Sequence, residues 1–135
     1  MKKTGLISVS KYLIDTSAWL EYFRGTKVGQ KVKEIVEDRD KTCMHCNIIM
    51  AEIASKATRD GQDLEKIFAS VRSLSKEAEE SKNDYWEAGL LHGKFLKEGF
   101  EMSLADAIIA VVAKRNQCKI VTKDFHLKKF DSVIV

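Results

Sequence analysis

The sequence predicts an α/β domain built on a mainly parallel sheet. Segments with helical and strand periodicity alternate along its 135 residues. Short apolar runs such as Tyr12-Leu13-Ile14 and Ile120-Val121-Thr122 end at, or one residue before, an isolated acid, as strand ends do when they deliver side chains to one sheet edge. There is no proline, internal repeat or low-complexity tract, so no linker divides the chain.

Residues up to Ser10 have no period and read as a flexible tail, which leaves 11–135 as one domain. Lys11–Asp15 is the first strand. Thr16–Phe23 is a short helix carrying Ala18, Trp19, Tyr22 and Phe23 at helical spacing, and Arg24-Gly25-Thr26 is a turn. Val28–Arg39 repeats Val28, Val32, Ile35 and Val36 with a period of 3.6. Thr42–Cys46 is the second strand, followed by Asn47 as N-cap of a helix over Ile48–Arg59. Gly61 separates that helix from Leu64–Val71. A long helix is expected over Lys76–Lys97, its charge-rich first turns solvated and its end marked by Gly99. Gly89 and Gly93 lie one turn apart on it and permit close approach by a neighbouring element or a second copy. Ser103–Asn116 is a mostly apolar and therefore buried helix; Cys118–Thr122 and Ser132–Val135 complete the strands.

Composition excludes several classes. The apolar and charged fractions, 44% and 32%, are those of a globular protein rather than a disordered one. A net charge of +3 permits a nucleic-acid partner without demanding one. No apolar run is long enough to span a membrane, Lys11 interrupts the short one behind Lys2-Lys3, and cytoplasmic residence is expected. Three cysteines are an odd number and argue against a disulfide framework. Cys43-Met44-His45-Cys46 has Cys-x-x-Cys spacing, but on a strand positions three apart face opposite ways, and no second pair completes a tetrahedral zinc site. These read as reduced core thiols.

Four acids remain. Asp15 closes the first strand; Glu52 lies on the helix after the second, at the border of the apolar face made by Ile48, Ile49 and Ile53; Asp106 falls in the first turn of the helix opening at Ser103; Asp124 follows the strand ending at Thr122. Each has a plainer structural reading: Asp15 as N-cap, Asp106 as half of a capping box with Ser103, Asp124 as a turn residue. Together they point elsewhere. Parallel strands bring their carboxyl ends to one edge, and two carboxylates about 4 Å apart there repel by roughly 4 kcal/mol at an effective dielectric near 20. Such a cluster must gain protons, basic partners or a metal. An all-oxygen site suits a hard divalent cation, and hence metal-assisted chemistry on phosphate. Lys123 adjoins Asp124, but on a continuing strand its side chain points away from it.

Four segments then resemble the PIN-domain ribonucleases, and most closely the VapC-type toxins of prokaryotic toxin–antitoxin pairs. They are Tyr12-Leu13-Ile14-Asp15-Thr16-Ser17, Asn47-Ile48-Ile49-Met50-Ala51-Glu52-Ile53, Ser103-Leu104-Ala105-Asp106-Ala107-Ile108-Ile109-Ala110 and Ile120-Val121-Thr122-Lys123-Asp124-Phe125, in that order. The resemblance covers Tyr12 to Val135. It implies a three-layer α/β/α domain with a five-stranded, mainly parallel sheet. It implies an endoribonuclease in which Asp15, Glu52, Asp106 and Asp124 bind Mg²⁺ or Mn²⁺, with Thr122 orienting the cluster and Ser17 or Thr16 in support. It also implies a homodimer and a cognate antitoxin. The segment after Asp124 is shorter than in many relatives, and the first ten residues precede the usual start.

An acidic centre needs basic neighbours to hold RNA, and Arg24, Lys27, Lys56, Arg59, Lys123, Lys128 and Lys129 are the candidates. Single-stranded loops, with accessible bases, are the expected target. The surface around Trp19, Tyr22 and Phe23, with the Val28–Val36 helix, is expected to form the groove for an antitoxin segment. A PIN nuclease of ribosomal RNA maturation, or a non-catalytic RNA-binding or scaffold module, are the competing functions.

Overall fold

The computed structural model describes residues 10–135. The tail expected over the first ten residues therefore lies outside the described residues, except Ser10, which opens the first strand. The elements are β1 (Ser10–Ile14), α1 (Thr16–Arg24), α2 (Lys27–Val36), β2 (Lys41–His45), α3 (Asn47–Arg59), α4 (Leu64–Leu74), β3 (Lys76–Glu77), α5 (Lys82–Lys97), α6 (Leu104–Arg115), β4 (Lys119–Thr122), a 3₁₀ helix (Phe125–Lys129) and β5 (Ser132–Ile134).

The sheet order is β3-β2-β1-β4-β5, and every neighbouring pair is parallel. β1 is central because it is apolar on both faces: Leu13 and Ile14 are fully buried, and so are Ile120 and Val121 on β4 beside it. Helices cover the sheet and join the same core through Trp19, Val32, Ile49, Val71, Ala88, Ile109 and Val112. From β1 the chain moves outward to β2 and β3, then returns to place β4 on the other side. The crevice between the carboxyl ends of β1 and β4 is thus the switch point of the sheet, where open α/β folds bind ligands.

The long helix expected from Lys76 is the main correction. Lys76 and Glu77 instead pair with Met44 and His45 as a two-residue edge strand, and the Ala78 N–H donates to the His45 carbonyl. This stretch of charges has neither helical nor strand periodicity, so only the open edge of β2 decides its conformation. Its short, charged character also blunts that edge. α5 begins at Lys82, behind a complete capping box in which the Ser81 side chain accepts from Asp84 N and the Asp84 carboxylate accepts from Ser81 N.

Asn47 is the first residue of α3 rather than its N-cap. Cys46 occupies the cap without a side-chain bond, and Glu80 from the β3–α5 loop supplies one, its Oε2 accepting from Asn47 N at 2.9 Å. α2 stops at Val36, short of the expected Arg39. Gly29 sets how closely α2 lies on α1: a Cβ there would sit 2.1 Å from the Glu21 carbonyl oxygen. Gly25, at φ 68°, supplies the left-handed turn between the two helices.

All three cysteines are free and buried. Burial pushes the Cys43 and Cys118 thiols up to about 11 and the Cys46 thiol up to about 12, so they stay protonated at neutral pH.

Candidate active site

Asp15 sits where β1 ends, as N-cap of α1, and is almost completely buried. Its Oδ1 accepts from Thr16 N at 2.8 Å. Its Oδ2 accepts from Thr122 Oγ1 at 2.6 Å, with Ser17 Oγ at 3.4 Å. The capping role read from the sequence is therefore real, and it occupies one carboxylate oxygen while β4 fixes the other.

Thr122 is fully buried at the end of β4, and its hydroxyl is the hub of the crevice. Besides donating to Asp15, Oγ1 accepts from Asp124 N at 2.9 Å and lies 3.4 Å from Ser17 Oγ. Ser17 Oγ in turn accepts from Lys123 N at 3.1 Å. Thr16 turns the other way, its Oγ1 donating to Glu52 Oε1 at 2.7 Å. One network thus links α1, α3 and the end of β4.

Asp106 approaches on α6. Its backbone N–H donates to Ser103 Oγ at 3.0 Å, so only half of the expected capping box forms. Burial, then the charges of Asp124, Asp15 and Glu52, push the Asp106 carboxyl up to about 6, against a smaller opposing pull from Ser103. Asp15 is also raised, by burial first and by the Glu52 charge, while Thr122, Thr16 and Ser17 pull it down. Asp124 caps the 3₁₀ helix through His126 N at 2.8 Å, and the His126 ring comes within 3.4 Å of the same oxygen. Sequence reading gave His126 no role.

The charges of Asp15, Glu52 and Asp124 thus all act on Asp106. The donors are oxygens, the set that suits Mg²⁺ or Mn²⁺ rather than zinc. As the side chains stand, no three His, Cys, Asp or Glu among the described residues are gathered closely enough to hold one ion. The chemistry of the donors fits such a cation, although the side chains do not close around one position.

Of the basic candidates, Arg24, Lys56, Arg59 and Lys123 converge on one side of the crevice, and Lys27 does not line that cavity. Lys123 meets Glu21 at 3.5 Å rather than Asp124. Lys129 lies over Phe100 and Phe95, with its Nζ 3.8 and 4.3 Å from the ring centroids. Glu21 is another residue that sequence reading missed. A glutamate on an amphipathic helix looks like surface, yet this one is nearly buried and accepts from Thr26 Oγ1 at 2.8 Å. That bond, together with Lys123 and Arg24, holds its carboxyl below the usual range despite partial desolvation.

Of the three residues expected to line a groove, Trp19, Tyr22 and Phe23, only the last two are partly exposed. Trp19 is fully buried and stacks on Phe23, while Tyr22 and Phe23 pack against the core. The large apolar side chains exposed beside the acids are Leu104 and Phe125. No helix among the described residues is long and apolar enough to cross a membrane.

Comparison with known proteins agrees with this fold. The PIN domain family profile matches residues 12–133. The VapC ribonuclease Mb1587 of Mycobacterium bovis is 31% identical over 117 residues, covering 83% of this chain and 85% of that protein. Ribonuclease VapC11 of Mycobacterium tuberculosis matches with the same figures. Among solved structures, VapC20 of Mycobacterium tuberculosis, described as a sarcin-ricin loop cleaving toxin, superposes with a TM-score of 0.68 at 17% identity, covering 92% of this chain and 99% of that one. VapBC2 of Rickettsia felis, bound to a promoter DNA fragment, gives 0.67 at 16%, covering 92% and 96%. At those identities the structural likeness speaks for the fold alone.

Proposed function

Because the chain belongs to the PIN-domain family, we propose that it is a divalent-metal-dependent endoribonuclease, the toxin of a VapBC-type toxin–antitoxin pair, acting on RNA in the cytoplasm. The observation that carries this reading is the convergence of Asp15, Glu52, Asp106 and Asp124 at the switch point of the sheet, organised by the Thr122 hydroxyl.

Asp15, Asp106 and Asp124 would hold Mg²⁺ or Mn²⁺, with Glu52 completing the set. Once bound, the ion supplies positive charge at the scissile phosphate and a water of lowered pKa. The chain's own residues do the rest. Thr122 keeps Asp15 in one rotamer and ties the Asp124 backbone to it. Thr16 holds Glu52 by Oε1, which would leave Oε2 either to complete the metal set or, in its place, to accept the proton of the attacking water. Water attack leaves 5′-phosphate and 3′-hydroxyl ends and does not need the RNA 2′-hydroxyl. Arg24, Lys56, Arg59 and Lys123, gathered beside this centre, would offset its repulsion of the RNA backbone.

The antitoxin would cover the mouth of the site, where Leu104 and Phe125 offer an apolar rim. A homodimer is supported by α5. Trp86 and Leu90 are exposed there, and nothing lies within 4 Å of where a side chain at Gly89 or Gly93 would begin, so the bulky residues of a second copy would have room beside them.

The test is cleavage of end-labelled single-stranded RNA in EDTA, Mg²⁺ and Mn²⁺, with the termini identified. Metal-dependent cutting with 5′-phosphate ends is expected, and it should vanish when Asp15→Asn and Asp106→Asn are combined. Cutting in EDTA, 2′,3′-cyclic phosphate ends, or a fully active double variant would refute the assignment.

A further inference from the structure

Next to the acidic crevice lies a separate cavity of about 340 Å³ between α1, α3 and the residue that follows β4. Arg24, Lys56, Arg59 and Lys123 line it with two carboxylates, Glu21 and Asp60, which leaves a surplus of two positive charges. The two acids are used within the wall. Glu21 Oε2 lies 3.2 Å from Arg24 Nη1 and 3.5 Å from Lys123 Nζ, and Arg24 Nη2 reaches Asp60 at 3.2 Å. Glu21 is itself fixed by Thr26 Oγ1, which donates to its Oε1 at 2.8 Å. Two cations are therefore held in place by a nearly buried acid. Lys56 and Arg59, one turn apart on α3, make no ion pair among the described residues and supply the surplus.

The cavity shares a wall with the acidic crevice. Ser17 lines it, and the same Ser17 hydroxyl lies 3.4 Å from Asp15 Oδ2. A strand with one phosphate at the acids can lay the next one past Ser17, across this shared wall. An ordered set of guanidinium and ammonium groups with excess positive charge, opening on that path, is suited to a tetrahedral oxyanion.

We propose that this cavity is a phosphate subsite, which holds the RNA phosphate adjacent to the scissile one through Lys56 and Arg59, with Arg24 and Lys123 kept in position by Glu21. The inference rests on the nuclease reading, and it names where that nuclease grips its substrate. The subsite opposes the repulsion of the acidic centre and sets the register of the strand, so its contribution appears in substrate binding rather than in the chemical step.

The experiment uses the full-length protein and an RNA whose cleavage position has been mapped. Single phosphates are replaced in turn by neutral methylphosphonates, with a 2′-deoxy sugar at each modified position and matched 2′-deoxy controls. For the wild type, neutralising the phosphate next to the cut should raise KM about tenfold and leave kcat within about twofold. Combining Lys56→Ala with Arg59→Ala should raise KM similarly for native RNA, flatten the salt dependence of binding, and abolish the response to that one methylphosphonate. Both side chains point from α3 into the cavity and lie outside the core, so circular dichroism should show an unchanged fold. Equal responses of wild type and variant to the neutral linkage would overturn the proposal. So would an unchanged KM in the double variant, or a variant that loses affinity for an acidic peptide but not for RNA. If the wild type cuts no RNA, fluorescence anisotropy on a single-stranded RNA carrying one methylphosphonate at each position in turn decides alone. A position-specific loss that disappears in the double variant keeps the subsite while the nuclease reading fails; no such loss removes both.

Discussion

Replacing Thr122 by valine isolates the hydroxyl at the centre of the crevice. Valine keeps the β-branched shape in a fully buried strand position, so packing and strand preference change little. The substitution deletes the 2.6 Å bond to the Asp15 carboxylate and the acceptor that serves Asp124 N at 2.9 Å. A hydrogen bond to a charged group contributes about 1.5–3 kcal/mol, and a partly buried N–H left unpaired costs about 1 kcal/mol more. The expected destabilisation is therefore about 3 kcal/mol, or on the order of 10 °C in Tm for a domain of this size. Activity should fall further than the folded fraction does. Asp15 loses its orientation and its carboxyl rises further, because Thr122 is the strongest of the groups that oppose its burial. A drop in kcat of about a hundredfold at neutral pH is the expected outcome, with the acidic limb of the pH–rate profile moved toward higher pH. Thermal denaturation and cleavage of a fluorogenic RNA would be compared for Thr122→Val and Thr122→Ser. Serine retains the hydroxyl and should stay near wild type in rate, losing only about 1 kcal/mol for the buried methyl. A valine variant that melts and cuts like the wild type, or a serine variant as impaired as valine, would refute the reasoning.

Asp106→Asn should lower cleavage by several orders of magnitude, on the order of 4 kcal/mol in transition-state stabilisation, while raising stability in metal-free buffer. The Asp106 carboxyl is raised from 3.8 to about 6, so the folded state binds its proton more tightly than the unfolded state, and wild-type stability falls as pH rises between those values. Such a rise corresponds to about 3 kcal/mol undiscounted and, for a partly solvated carboxylate, to on the order of 1 kcal/mol. Urea titrations should show the asparagine variant ahead by that margin at pH 7 and level near pH 4; a wild type that gains stability from pH 4 to 7 relative to the variant would contradict it. Gly29→Ala puts a methyl 2.1 Å from the Glu21 carbonyl and should cost about 2–3 kcal/mol as α1 and α2 are forced apart. Denaturant midpoints check this, and an unchanged midpoint would show that the helix pair yields freely.

How much of this could be read from the chain differs from residue to residue. The places of Asp15, Asp106 and Asp124 at the ends of strands and the start of a helix were legible because each interrupts or ends an apolar run. Glu52 was legible from its place beside Ile53. Four strands were visible as apolar runs, whereas β3 was not: its two charged residues have no period, and they form a strand only because β2 leaves an edge for them. Trp19 was misjudged for a related reason. Helical spacing with Tyr22 and Phe23 shows that these residues share a face, but not that α2 and the sheet enclose it. Glu21 was invisible because its partners, Thr26 and Lys123, come from the next helix and from the far end of the chain. The same holds for the Glu80 side chain that caps α3 from thirty-three residues away.

The pairing of β1 with β4 also has a consequence in time. Asp15 emerges early in synthesis, yet the hydroxyl that holds it arrives 107 residues later, and the backbone bond from Asp15 N to Val121 forms at the same late stage. Until then β1 has a neighbour on one side only, and the acids of α1 and α3 face a gap where β4 will lie. A partly made chain on the ribosome therefore carries most of its acidic residues without the crevice that gathers them. Under the ribonuclease reading proposed above, the topology of the sheet delays the working centre until β4 has been made.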